Sequence, residues 1–253
     1  MYSQSPYVCR VEWGLRGARE AAERGDITVI VDVLSFSSTV VTAFHFAPWI
    51  FLHRRPGTTS GTVCEKTKSR PRRGPKRGRR TGRPLLIPRF PERSGVFRGR
   101  RKGVRPVGRS LLNVSAVDDA AERIHARTGA DITVVPCGEQ WADAREGENR
   151  LRPGIEDDLG AGAILSRLRR SLSPEARVFM GAFRSVRNSL AELIWDCAGG
   201  RELRLRGFAE DVRFCARMDA FGEVPLLQGD RFVDVSRAWK PDGDPPAAGR
   251  DFK

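Results

Sequence analysis

A carboxylate followed at once by a run of hydroxyls is the first group of residues that could do chemistry. Asp32 interrupts an otherwise apolar run, and a buried carboxylate is costly unless it is paired or binds a metal. Hydroxyls and free backbone N–H groups at the start of a helix could bind an anion, and those hydroxyls belong to Ser35, Ser37, Ser38 and Thr39. An Asp that caps the turn and ordinary N-capping by the hydroxyls are the alternatives.

Two further acidic groups lie in the second half of the chain. Glu156, Asp157 and Asp158 fall within one helical turn, where they either complement the helix dipole or supply oxygen ligands to a hard cation. Asp211 and Asp219 are separated by about two helical turns and could share a helix face. A solvated surface is the alternative for this last pair.

The remaining residue types narrow the chemistry. The sequence has neither a Ser/His/Asp nor a Cys/His grouping, and it has no P-loop or dinucleotide-binding glycine pattern. Its three histidines and five cysteines are scattered, without the spacing of zinc ligands or of a disulfide framework. Magnesium takes one or two carboxylates together with substrate phosphate. Metal-assisted chemistry on a phosphorylated substrate is therefore favoured.

Strands and helices alternate on both sides of a basic segment, which predicts an α/β fold with helices covering a sheet. The apolar, β-branched runs Ile27–Val33 and Asp131–Cys137 are typical of buried parallel strands. Asp32 lies near the carboxyl end of the first, where ligands of open α/β sheets bind. Shorter strands are predicted at Val224–Leu227 and Arg231–Val235. Helices are predicted over Gly14–Arg24, Val40–Phe46, Ser115–Arg127, Ile155–Arg170, Pro174–Arg187, Ser189–Cys197 and Phe208–Met218.

The positive charge of the chain is concentrated in one segment. The 253 residues carry a formal net charge of +14, and residues 54–110 alone hold 20 basic and two acidic side chains. This Arg/Gly/Pro-rich segment has no apolar period, so it cannot bury enough surface to offset the entropy of ordering it. We therefore divide the chain into an N-terminal α/β part (1–53), the basic segment (54–110), a C-terminal α/β part (111–239) and a flexible tail (240–253).

Nothing in the sequence indicates a membrane or secreted protein. The longest apolar run, Val40–Leu52, is shorter than the roughly 20 residues that a bilayer span needs. The first residues lack a basic start followed by an apolar core, so we expect no secretory signal and a cytoplasmic location.

Several segments occur in a characteristic order. They are Glu12-Trp13-Gly14, VIVDVLSFSST (29–39), LLNVSAV (111–117), VPCGEQW (135–141), RPGIEDDLGAGAI (152–164) and a closing pattern from Ser189 to Pro225. Together they resemble the 2-phosphosulfolactate phosphatase (ComB-like) family over roughly residues 8–50 and 111–236. The pieces DVLSFSST and IEDDLGAGA are the more specific ones.

The resemblance implies a magnesium-dependent phosphatase with a three-layer α/β/α fold. Its reaction hydrolyses 2-phosphosulfolactate to sulfolactate and phosphate, a step toward coenzyme M where that pathway exists. The alternative function is a nonspecific nucleic-acid-binding protein that uses the basic segment 54–110. A third, weaker option is a related phosphatase for another small acidic phosphoester, because the acids recognise metal and phosphate rather than the rest of the substrate. A homo-oligomer is compatible with the sequence, and a membrane partner is not expected.

The same resemblance assigns residues to roles. The catalytic candidates are Asp32, Asp157 and Asp211. The magnesium ligands are expected among Asp32, Glu156, Asp157 and Asp219. The phosphate-binding candidates are Ser35, Ser37, Ser38, Thr39, Arg152 and Arg213, the two arginines because guanidinium matches phosphate or sulfonate bidentately.

The basic segment departs from the family pattern. Family members carry, upstream of the LLNVSAV segment, a strand that leads into a Ser/Thr-Asn-Gly turn, and we expect no such strand in residues 54–110. Three interpretations stay open: an arm that binds nucleic acid nonspecifically, a solvated insertion without a role, and paired frameshifts in a GC-rich gene. Steep salt dependence of nucleic-acid binding would support the first. We favour the third, which predicts an impaired enzyme, because both edges of the segment match the family and its interior does not.

Sequencing the gene across codons 50–112 and translating all three frames tests the frameshift interpretation. We expect another frame to encode balanced charge, a buried strand and a Ser/Thr-Asn-Gly turn. If no frame does, the basic segment is genuine, and nucleic-acid binding has to be measured before catalysis is assumed.

Overall fold

The computed structural model of the chain describes residues 4–34, 36–46, 50–53, 85–88, 107–228 and 231–236. The strands in these ranges are β1 (Cys9–Val11), β2 (Ile27–Val31), β3 (Ile50–His53), β4 (Leu85–Pro88), β5 (Val107–Arg109), β6 (Ile132–Pro136), β7 (Glu139–Gln140), β8 (Leu151–Arg152), β9 (Pro225–Gln228) and β10 (Arg231–Asp234). The helices are α1 (Gly14–Arg24), α2 (Phe36–Phe46), α3 (Val114–Thr128), α4 (Ile155–Leu165), α5 (Pro174–Val186), α6 (Leu190–Asp196), α7 (Ala198–Leu205) and α8 (Ala209–Cys215).

One mixed sheet organises these elements, and it confirms the predicted α/β class. Its strand order is β1-β6-β2-β5-β9-β10-β3-β4. The first four strands are parallel, β5, β9, β10 and β3 are successively antiparallel, and β4 is parallel to β3. Val31 at the end of β2 lies opposite Pro136 of β6 and Arg109 of β5. The carboxyl ends of these three strands therefore meet at one edge.

Helices pack on both faces of the parallel strands. Val29 and Val31 of β2 are buried in a cluster with residues of α3 and α4. Ile30, which points the other way, is buried with Ala18 of α1 and Phe44 of α2. This alternation follows from the side-chain period of two in a strand. It also explains why β2 and β6 are apolar throughout, since both of their faces are covered.

The α4 helix approaches the end of β2 closely because it carries small residues there. A Cβ at Gly160 would lie 2.8 Å from Cγ2 of Val33 and 2.9 Å from Cγ1 of Val31. A Cβ at Gly162 would lie 2.2 Å from the carbonyl oxygen of Phe179 in α5. The glycines therefore let the first turn of α4 reach the edge where β2 ends.

Several element boundaries differ from the expected ones. The helix predicted over Gly14–Arg24 has the bounds of α1, whereas α2 begins at Phe36 rather than Val40 and so includes three of the candidate hydroxyls. The helix expected over Ile155–Arg170 ends at Leu165. The helix α7 was not expected; it starts after Cys197, whose extended backbone (φ −65°, ψ 166°) separates it from α6.

Two short strands lie within residues 54–110, the segment in which we expected no strand that leads into a Ser/Thr-Asn-Gly turn. Residues Val107–Arg109 form β5 and pair with β2 in parallel, so the ordered C-terminal part begins before Leu111. Leu85–Pro88 also forms a strand, β4, beside β3. Apart from Ser110, the other residues of the basic segment lie outside the described residues, as does the expected tail 240–253.

Within the described ranges, no helix combines the length and the hydropathy that a membrane span requires.

Substituting the two helical glycines that differ in surroundings tests the close packing of α4. Gly162→Ala is expected to destabilise the fold by about 1–3 kcal/mol, because its Cβ overlaps the backbone of α5. Gly181→Ala is the matched control: nothing lies within 4 Å of a Cβ there, so alanine should stabilise α5 by roughly 0.5–1 kcal/mol. Urea unfolding curves give both values. Equal effects of the two substitutions would contradict the packing described.

Candidate active site

The site is built where three parallel strands end. Asp32 directly follows β2, Ser110 directly follows β5, and Cys137 and Gly138 follow β6. The backbone N–H of Cys137 donates to the carbonyl of Val31 at 2.9 Å, which extends the pairing of β2 and β6 by one bond. Polar groups from segments far apart in sequence are thus brought to one edge, as the position of Asp32 predicts.

Asp157 joins the ends of two of these strands. It lies in the first turn of α4, where its own N–H donates to the carbonyl of Gly154. Its Oδ1 accepts a hydrogen bond from the N–H of Val33 at 2.8 Å, and its Oδ2 accepts one from the N–H of Gly138 at 2.9 Å. The side chain is buried. One carboxylate therefore satisfies a backbone donor in each of the two turns.

The electrostatics of this edge are dominated by negative charge. Burial, followed by the charges of Asp32 and Glu156, raises the pKa of Asp157 well above its usual range, against the effect of its two backbone hydrogen bonds. Burial and the charge of Glu156 raise the pKa of Asp158 to about 6. Asp32 and Glu156 therefore both lie close enough to Asp157 to act on its carboxylate.

Glu156 is held at the start of α7. Its Oε2 accepts from the thiol of Cys197 at 3.4 Å, and Cys197 in turn caps α7 by accepting from the N–H of Gly200 at 3.3 Å. A Cβ at Gly199 would lie 2.5 Å from Oε1 of Glu156. A glycine at the beginning of α7 thus leaves the space that the carboxylate occupies.

The candidate hydroxyls differ in burial and in hydrogen bonding. The hydroxyl of Ser38 donates to the carbonyl of Val33 and is hydrogen-bonded to the hydroxyl of Ser110. The Oγ of Ser37 is buried and, within the described structure, has no hydrogen-bond partner. Thr39 is exposed, and Ser35 lies outside the described residues. The hydroxyls of Ser37 and Ser38, both in the first turn of α2, therefore differ in their surroundings.

Asp219 and Asp211 lie in different surroundings. The carboxylate of Asp219 accepts from the N–H of Ser115 at 2.7 Å and from its hydroxyl at 2.6 Å, so it caps the start of α3. Asp211 is exposed on α8, and its charge acts together with that of Asp32 on the thiol of Cys215. Asp211 and Asp32 therefore lie close enough to affect the same thiol. Asp219 instead has a structural role at the start of α3.

The two candidate arginines are each held by an acid and an aromatic ring. The guanidinium of Arg152 lies 3.8 Å from Glu202 and 5.6 Å from the ring centroid of Trp141. That of Arg213 is paired with Glu210 and lies 4.4 Å from the ring centroid of Trp195.

Comparison with known proteins identifies the family. Residues 106–230 match the family model described as 2-phosphosulpholactate phosphatase. The chain belongs to the 2-phosphosulfolactate phosphatase family. This family match includes Glu156, Asp157, Asp211 and Asp219, whereas Asp32 lies before it.

Curated members of the 2-phosphosulfolactate phosphatase family are similar to about half of the chain. A probable 2-phosphosulfolactate phosphatase of Thermotoga petrophila is 32% identical over 128 residues, 50% of either chain. Proteins with the same description from Pseudothermotoga lettingae and Thermotoga maritima are 35% and 31% identical over 124 and 128 residues, respectively. The chain spans about half the length of the curated relatives that it matches.

The oxygen atoms of these candidate residues are of the type that magnesium binds. Carboxylate and hydroxyl oxygens are hard ligands, and magnesium needs one or two protein carboxylates when waters and phosphate complete its shell. Within the residues described, no three His, Cys, Asp or Glu side chains are grouped so as to hold a metal by themselves. Burial raises the pKa of Asp157, and the charges of Asp32 and Glu156 raise it further. These charges are of the sign that a cation would neutralise.

Three thiols around the acidic edge were missed by sequence reasoning. Cys137, Cys197 and Cys215 lie next to Asp157, Glu156 and Ser38, respectively. They come from three elements that are distant in the chain, so their spacing carries no signal. Burial raises the pKa of all three thiols, to about 11 for Cys197 and for Cys215. They are protonated at neutral pH.

Alkylation measured cysteine by cysteine tests this electrostatic environment. A raised pKa disfavours the reactive thiolate, so at pH 8 Cys197 and Cys215 should react at least about 100-fold more slowly with iodoacetamide than in the urea-unfolded chain. Their rates should then rise about tenfold per pH unit up to roughly pH 10. Mass spectrometry of the digested protein supplies the rates. Equal rates in the folded and unfolded chain at pH 8 would show that the acidic edge is not formed.

Proposed function

We propose that the chain is a magnesium-dependent phosphoric monoester hydrolase that converts 2-phosphosulfolactate into sulfolactate and phosphate. The observation that carries the proposal is the convergence of Asp32, Glu156 and Asp157 at the carboxyl edge of β2 and β6. Family membership over residues 106–230 supports the same activity. Helices on both faces of the parallel strands support the three-layer α/β/α arrangement that we propose for the whole enzyme.

The residues of this edge suggest a division of labour. Asp32, at the end of β2, and Glu156, at the start of α4, would hold the cation. A bound magnesium ion would supply positive charge to the phosphoryl oxygens and acidify the attacking water. Asp211 stays a catalytic candidate because its charge acts on Cys215 together with that of Asp32.

Phosphate recognition is proposed for groups near the same edge. The hydroxyl of Ser37, which has no hydrogen-bond partner among the described residues, lies in the first turn of α2, where backbone N–H groups and the positive end of the helix favour an anion. Ser35 and Thr39 complete the run in sequence. Arg152 and Arg213 are candidates for the phosphate or the sulfonate, because each presents a guanidinium with several donors.

Hydrolysis adds one water across the bond between phosphorus and the C2 oxygen of the substrate. The water loses a proton as it attacks phosphorus, and the departing C2 oxygen gains one. Carboxylates that lie at the open end of the strands can orient that water and accept its proton. Asp32 is the one we assign to this position, since it directly follows β2.

Replacing Asp32 tests the proposed activity. Asp32→Ala should lower magnesium-dependent phosphate release from 2-phosphosulfolactate by about 10²–10⁴-fold, and EDTA should abolish the wild-type activity. Asp119→Ala is the control, because Asp119 is exposed on α3 and should leave turnover unchanged. Phosphate release is measured colorimetrically.

Two outcomes would contradict parts of this proposal. Unchanged turnover by Asp32→Ala would remove Asp32 from the site. Faster release from another small acidic phosphoester than from 2-phosphosulfolactate would keep the phosphatase but change its substrate.

A further inference from the structure

We infer that Asp157 and Ser38 are positioning residues that fix the turn carrying Asp32, rather than ligands of the metal or the phosphate. The inference rests on the proposed function, because it assigns to Asp32 the contact with the cation or the water. It changes the roles expected for both side chains from the sequence.

Three hydrogen bonds hold the turn, at the residues on either side of Asp32. The carbonyl of Val31 accepts from the N–H of Cys137 at 2.9 Å. The N–H of Val33 donates to Oδ1 of Asp157 at 2.8 Å, and the carbonyl of Val33 accepts from the hydroxyl of Ser38. Asp32 therefore lies between two peptide groups that are both hydrogen-bonded, and its backbone has little freedom to move.

Both oxygens of the Asp157 carboxylate accept hydrogen bonds from the backbone. Oδ1 binds the N–H of Val33, and Oδ2 binds that of Gly138 across the edge at 2.9 Å. The side chain is 4% exposed, and Gly160 lets α4 pack directly on Val31 and Val33. Asp157 is thus directed at the backbone of the two turns and not at open space.

The hydroxyl of Ser38 is likewise occupied by hydrogen bonds within the protein. Its hydroxyl hydrogen-bonds the carbonyl of Val33 and the hydroxyl of Ser110, which follows β5. Ser110 in turn accepts from the N–H of Leu112 at 3.4 Å. Ser38 therefore ties the Asp32 turn to the end of the neighbouring strand. Its neighbour Ser37, whose buried hydroxyl has no partner within the described structure, differs from it in this respect.

The expected consequence is a loss of turnover without a matching loss of substrate binding. A displacement of about 1 Å in a reacting group can lower the rate by about 100-fold. Freeing the Val33 peptide would displace Asp32, whereas the groups that bind the phosphate and sulfonate would stay in place.

The experiment compares Asp157→Asn and Ser38→Ala with Asp118→Asn, in the full-length protein. An Asn side chain has one acceptor oxygen and an NH₂ donor, so it can accept from at most one of the two N–H groups. Asp118 is equally buried, at 4% exposure, but it is ion-paired with Arg167 at 2.9 Å. Asp118→Asn therefore removes the same charge from an equally buried position away from the turn.

Two readouts are recorded. Amide hydrogen exchange of Val33 and Gly138 is followed in metal-free protein, and kcat and KM are measured with magnesium. Asp157→Asn should speed exchange at one or both amides by at least about tenfold and lower kcat by about 100-fold, with a KM within about threefold of the wild type. Ser38→Ala should also lower kcat while leaving KM near the wild-type value. Asp118→Asn should change neither readout, even though it lowers the melting temperature.

A double variant tests whether the two side chains act on the same turn. If they do, Asp157→Asn combined with Ser38→Ala should lower kcat by less than the product of the separate effects. Multiplicative losses would mean that the two residues act independently, which contradicts a shared positioning role.

Other outcomes would overturn the inference. If Asp157→Asn raises the magnesium concentration for half-maximal activity more than tenfold while exchange at Val33 and Gly138 is unchanged, Asp157 is a metal ligand. If Ser38→Ala raises KM without lowering kcat, Ser38 binds substrate. If the wild type releases no phosphate, the proposed function fails, but the exchange rates still decide whether Asp157 holds the two turns. Should Asp157→Asn not fold, Ser38→Ala alone carries the test.

Discussion

The two hydrogen bonds that Asp157 accepts from Val33 and Gly138 are the interaction on which the rest of the site depends. Each strand of a sheet ends with backbone donors that lose their sheet partners, and a buried donor without a partner costs about 1–3 kcal/mol. A single carboxylate from the first turn of α4 accepts from a donor beyond β2 and from one beyond β6. The ends of the strands, the approach of α4 and the place of Asp32 are therefore fixed together.

The same carboxylate makes the edge electrostatically unfavourable. Asp157 is buried beside Asp32 and Glu156, and these charges add to the burial in raising its pKa. A cation that binds the native edge would relieve this repulsion, and any ligand that prefers the native state stabilises it. Folding and metal binding are thus expected to be coupled here, because the residues that shape the turn also concentrate the negative charge.

Local pattern was sufficient to predict the parts of the fold that are long and apolar. The strands β2 and β6 follow from β-branched runs, the helix α1 follows from its amphipathic pattern, and the place of Asp32 follows from the rule that ligands bind at the carboxyl edge of parallel strands. That Asp157 belongs beside Asp32 was expected only from the family resemblance. The strand β5 could not be predicted, since Val107–Arg109 is too short to show an alternation and is stabilised by its neighbours in the sheet. The helix α7 was missed because Gly199 and Gly200 disfavour a helix intrinsically. Here Cys197 caps it and Glu156 occupies the space that Gly199 leaves.

The basic segment lies between two parts of the sequence that form one sheet. The N-terminal strands β1 and β2 both pair with β6, and β2 also pairs with β5. The carboxylate of Asp157 on one side of the segment binds the N–H of Val33 on the other. Each part therefore supplies partners that the other needs. The family-matched residues 106–230 carry Asp157, and the residues before the segment carry Asp32. The contacts that define this edge come from both sides of residues 54–106, whatever the origin of those residues. The length of chain between β2 and β5 still affects how readily the edge assembles, because closing a longer loop costs more entropy.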